Sequence, residues 1–156
     1  MRITAPIAAL PAIALFLITP LCHAASSAVD EAALDPQAIA QLENRAAAAD
    51  PREQCFLYTE LVHNMTEVAS RQIAVGDSEH ASLTFKKIEK YAHLIHLGLA
   101  KDSKRLKNAE MLMHQTTYHL ANFLHSASDE DKPTLQATLK QLDSVHDELL
   151  TQVFSH

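Results

Sequence analysis

Apolar residues recur along this chain at spacings of three and four over long stretches, the period of helices with one buried face. The C-terminal stretch is the most regular. Leu135, Leu139, Leu142, His146, Leu149 and Val153 step four, three, four, three, four, as in the seam of a bundled helix. A second stripe runs through Leu106, Ala109, Met113, Thr116, Leu120 and Phe123, and a third through Ala81, Phe85, Ile88, Ala92, Ile95 and Leu99. A fourth joins Leu57, Leu61, Met65, Val68, Ala69, Gln72 and Ile73. The punctuation between stripes agrees with them. Asp50-Pro51-Arg52-Glu53 sets a cap acceptor before a first-turn proline, with Glu53 placed to complete a capping box. Gly76-Asp77, Asp102-Ser103 and the polar run 126–131 ahead of Lys132-Pro133 divide the rest.

These signals predict long helices near 51–75, 78–101, 104–125 and 133–156, each of about 23 to 25 residues or ~35 Å. Asp35-Pro36 starts a shorter helix, about 36–49, with Ile39, Leu42 and Ala46 on one face. Similar lengths and short connections set neighbouring helices antiparallel. The expected fold is all-α: an antiparallel up-down-up-down four-helix bundle with a short extra N-terminal helix.

The N-terminus has a different pattern. Met1-Arg2 precedes an apolar run from Ile3 to Leu21, followed by Cys22-His23-Ala24, which together make the charged, apolar and small-x-small parts of a secretory signal peptide. Pro6, Pro11 and Pro20 suit a segment that is recognised and cut better than a stable membrane helix. The expected organisation is a signal peptide over 1–24, a linker over 25–35 and one helical-bundle domain over 36–156. Cleavage would leave Cys55 as the remaining cysteine, so stability would come from core packing, and its neighbours Phe56 and Leu57 favour a buried thiol. The mature chain is expected to be periplasmic or secreted, without a membrane span.

Composition narrows the function further. With 156 residues, 47% hydrophobic and 21% charged, the chain has the make-up of one packed domain. Two glycines (Gly76 and Gly98) are too few for glycine-rich phosphate loops, and the turn-rich, aromatic strands of β-sandwiches are absent. Losing residues 1–24 removes Arg2 and leaves 12 Lys and Arg against 19 Asp and Glu, a net of −7. An acidic exported chain is a poor candidate for nucleic-acid binding, which depends on neutralisation of phosphates by clustered Lys and Arg. No His-Glu-x-x-His, Gly-x-Ser-x-Gly or Cys-x-x-Cys motif is present, so no enzyme chemistry is expected.

The histidines carry the chemical lead. Of ten, His23 goes with the signal peptide and nine remain. His146 lies within the last stripe and is expected to be buried, either bonded to a side chain such as Thr116 or Gln72, or ligating haem with Met65 as the opposite axial ligand. Exported bundles of the cytochrome b562 type resemble this layout in length and topology. Glu89, His93 and His96 share one flank of a helix and could offer a carboxylate and two imidazoles to zinc or copper, although Lys86 and Lys90 border them. Glu60-Leu61-Val62-His63 has the Glu-x-x-His spacing of di-iron bundles, but no second copy exists and both residues are expected to face outward. His114, Tyr118 and His125 form an outward line on the next helix.

Charge and local resemblance complete the reading. In the expected bundle Asp77, Glu79, Asp129, Glu130 and Asp131 share one end, while Lys101, Lys104, Arg105 and Lys107 occupy the other, making the molecule electrically polar. Residues 74–81 (AVGDSEHA) resemble the tight turn between helices of tetratricopeptide-type repeats, which form peptide-binding scaffolds. The segments 55–63 (CFLYTELVH) and 102–110 (DSKRLKNAE) are similar to a family of small exported helical proteins from soil bacteria. That family has no assigned activity, and the resemblance implies export and a single domain over nearly the whole mature chain. The expected function is contact with a partner protein or an envelope surface, without a cofactor. The competing expectation is a small haem or metal binder using His146, or His93 with His96.

Overall fold

The computed structural model describes residues 35–99 and 103–155; the expected signal peptide, and all of the expected linker except Asp35, lie outside them. Five helices and no strand occur among the described residues: α1 (Pro36–Ala48), α2 (Pro51–Ala74), α3 (Ser78–Gly98), α4 (Leu106–Ser126) and α5 (Lys132–Phe154). None of the helices is long and apolar enough to cross a membrane. The fold is all-α.

The helices start and stop where local chemistry directs. Asp35 and Asp50 accept the backbone N–H of Gln37 (3.0 Å) and Arg52 (2.9 Å), each ahead of a first-turn proline. Glu53 faces Lys104 at 3.6 Å. At the end of α2, Gly76 takes φ +80°. Its N–H donates to the Ile73 carbonyl (2.9 Å) and that of Asp77 to Gln72 (2.8 Å), which satisfies the last carbonyls of the helix. The turn before α4 is pinned to the start of α2, where the Lys104 N–H donates to the Arg52 carbonyl at 2.7 Å. Arg105 adopts φ +60°, and its guanidinium lies 3.5 Å from the Phe56 ring centroid.

Each of the four long helices packs on two others: α2 on α3 and α4, and α5 on α4 and α3, while α1 lies on α2. The α3 stripe is buried at all six predicted positions, with Tyr91 added. On α2 the buried face is wider than predicted, taking in Cys55, Thr59, Val62 and Thr66 beside Leu57, Leu61, Met65 and Ala69. The seam of α5 is rotated from the expected one. Leu135, Thr138, Leu142, Val145 and Leu149 are buried, whereas Leu139, His146 and Val153 are only half-buried. Both registers share Leu135, Leu142 and Leu149; Val145 enters the core in preference to His146 because a branched hydrocarbon loses nothing by leaving water and an imidazole does.

Buried hydroxyls are satisfied within their own helices. Thr59, Thr66 and Thr116 donate to the carbonyls of Cys55 (2.9 Å), Val62 (2.8 Å) and Leu112 (2.7 Å). No buried side-chain nitrogen or oxygen among the described residues lacks a partner. Glu43 ties α1 to α3, accepting from the Tyr91 hydroxyl (3.0 Å) and from Lys87 (3.2 Å). Burial and that bond push the Tyr91 hydroxyl up to about 12.

Candidate functional site

The histidines are distributed along the joins between helices. His63 on α2, expected to face outward, is half-buried and lies with Nδ1 2.9 Å from the Thr116 hydroxyl of α4. His119 on α4 meets Glu67 of α2 at 3.1 Å. His96 on α3 meets Glu148 of α5 at 2.6 Å, and His146 on α5 meets Glu110 of α4 at 3.1 Å. In the three carboxylate pairs the ring N–H donates to an ionised acceptor, which makes each bond charge-assisted. His80 makes a shorter-range pair, with Nδ1 2.8 Å from the Asp77 carboxylate that caps α3. Hydrogen bonding between the two raises the His80 pKa above its usual 6.5 and lowers that of Asp77 below its usual 3.8.

His146 departs from its expected setting. Its side chain is 17% exposed rather than sealed in the core, and its hydrogen-bond partner is Glu110 rather than Thr116 or Gln72. Thr116 serves His63, and Gln72 accepts from Thr84 at 2.9 Å. The His146 ring also lies 5.2 Å from that of His114, the two tilted by 39°. Met65, the other expected haem ligand, is buried and lines a cleft of about 230 Å3 with Ile39 of α1 and Thr84 of α3. His146 thus sits on the α4–α5 join, and Met65 of α2 lines a cleft with residues of α1 and α3.

One side chain of the expected metal flank, His96, is bonded to another helix. Glu89, His93 and His96 are all exposed on α3. The backbone carbonyl of Glu89 accepts from the Gln141 side chain of α5 at 3.4 Å, and His93 stacks on His96 with ring centroids 6.2 Å apart. His96 directs Nδ1 at Glu148. Among the described residues, no three His, Cys, Asp or Glu side chains are gathered so as to hold a metal ion.

Cys55 is fully buried at the start of α2. Burial pushes its thiol up to about 11, against a smaller opposing effect of its hydrogen bond with Ser103. It behaves as a core residue. The cross-helix histidine pairs were not legible in the sequence, because their partners lie 36 to 53 positions away and no local motif marks them. Comparison of the chain with family models, with curated proteins and with solved structures gives no match in any of the three.

Proposed function

We propose that this protein is an exported, non-enzymatic helical bundle that acts through contact with a partner protein or an envelope surface. In this reading the chain runs up-down-up-down through α2 to α5, with α1 laid against α2. Contacts at Tyr58–Tyr91 and Gln72–Thr84 support an antiparallel α2–α3 hairpin. The turns after α2 and α4 then carry the acidic end and the turn after α3 the basic end. The observation that carries the proposal is a division of labour. His63, His96, His119 and His146 each bond a neighbouring helix through one ring nitrogen, while Leu97, Met111 and Tyr118 each expose more than half of their surface. Nucleic acid is a poor partner for a mature chain of net charge −7.

Photo-crosslinking in the producing cell tests this. A photoreactive side chain is placed in turn at Val75, Leu97, Met111 and Tyr118, with exposed Lys140 as background. Contact function predicts a discrete protein or lipid adduct at one or more apolar positions. Adducts no stronger than those at Lys140 would overturn it.

A further inference from the structure

We infer that the outward face of α4 is the interface of an antiparallel, two-fold dimer of this chain. The inference rests on the contact reading above and names the partner of one surface, a second copy. Asn108, Met111, Gln115, Tyr118, Asn122 and His125 are all exposed and step three, four, three, four, three, so they form one line along the helix. At 1.5 Å per residue the line is ~26 Å long.

Formal charge is missing from this line. Residues 111–128 contain no Asp, Glu, Lys or Arg, in a chain that is 21% charged. The one acidic residue of α4, Glu110, is half-buried and bonded to His146. Depletion of charge around exposed Met and Tyr is the composition of an interface core. The exposed positions of the other long helices differ: α3 presents Lys86 and Lys90, and α5 presents Lys140, Asp143 and Asp147. Two-fold pairing through α3 would bring the lysines of two copies together, whereas α4 meets its own copy without like charges.

The ends of the line select the orientation. Exposed Lys104 and Lys107 precede it, and exposed Asp129 and Glu130 follow it. The spacing reads the same in reverse, so an antiparallel copy sets Asn108 against His125, Met111 against Asn122 and Gln115 against Tyr118. In that register Lys104 lies opposite Asp129 of the second copy, and Lys107 opposite Ser126, four residues from Glu130. A parallel pair would set cation on cation and anion on anion.

Sedimentation velocity of the chain recovered from the producing cell, loaded from about 1 to about 300 μM, tests this over the range of interfaces of modest area. A monomer–dimer equilibrium is expected. Tyr118→Asp, which brings two carboxylates near the two-fold axis, should weaken it by at least about tenfold with the melting temperature retained, since Tyr118 is exposed. Lys107 and Glu130 make no ion pair among the described residues. K107E and E130K should each weaken the dimer about fivefold, and K107E/E130K should return it to within about twofold of the parent chain. Single swaps that act in opposite directions would mean undirected repulsion between acidic chains. Singles without effect, or a double swap no tighter than the singles, would remove the antiparallel pairing. Each of these overturns the inference, as do monomers throughout the range or a Tyr118→Asp dimer as tight as the parent's. The cell crosslinks separate this inference from the contact reading: adducts at Val75 or Leu97 from a chain that sediments as a monomer overturn the dimer alone, and a monomer without adducts at any position overturns both.

Discussion

At the scale of single residues, Asp77 and His80 form a pair whose titration has a defined sign. The raised His80 pKa means that its stabilising contribution is fully present below the usual value of 6.5 and is lost as pH rises through the folded value. The lowered Asp77 pKa means that its contribution is present above the usual 3.8 and is lost as pH falls through the folded value. The pair therefore supports the start of α3 most between those two limits. An NMR titration of the His80 ring should give a midpoint above 6.5 that falls in Asp77→Asn; an unchanged midpoint in the variant would remove Asp77 as the cause. Cys55 yields a second expectation. A thiol pushed up to about 11 and fully buried should resist a disulfide reagent at pH 8 in the native chain and react at once in urea. Rapid native labelling would contradict its placement in the core.

At the scale of helices, the register of α5 separates two readings of one stripe. Val145→Ala should cost about 2 kcal/mol by leaving a cavity, and Val153→Ala, near the half-buried end, less than about 1 kcal/mol. Equal losses in urea melts would restore the seam through His146. That ambiguity was built into the sequence, because Leu135, Leu142 and Leu149 fit both registers and only the intervening residues decide. Helix starts were legible to within two residues, since Asp-Pro pairs and the Gly76 turn act locally. The α3 stripe was legible in full for the same reason, its pattern having one apolar face and no competitor. The wide buried face of α2 was not, because its extra members are threonines and a cysteine whose burial depends on α3 and α4 lying on either side.

At the scale of the whole molecule, histidine–carboxylate and histidine–hydroxyl bonds join α2 to α4, α3 to α5 and α4 to α5. The candidate ligands His146, Met65, Glu89, His93 and His96 were identifiable as residue types, but their surroundings depended on which helices came together. The settings of two of them give different expectations. His146→Ala removes a half-buried partner of Glu110 and should cost ~1–3 kcal/mol, whereas exposed His93→Ala should stay within about 0.5 kcal/mol. Equal losses in urea would deny His146 its fastening role. The central claim is that these imidazoles hold helices together rather than a cofactor, and a thermal melt with and without haem, zinc and copper tests it most directly. A bound ligand at a hundred times its dissociation constant adds ~2.7 kcal/mol and would raise the midpoint by roughly 5–10 °C. The account predicts no rise with any of the three; a rise with one of them, lost in His146→Ala or His93→Ala, would contradict it.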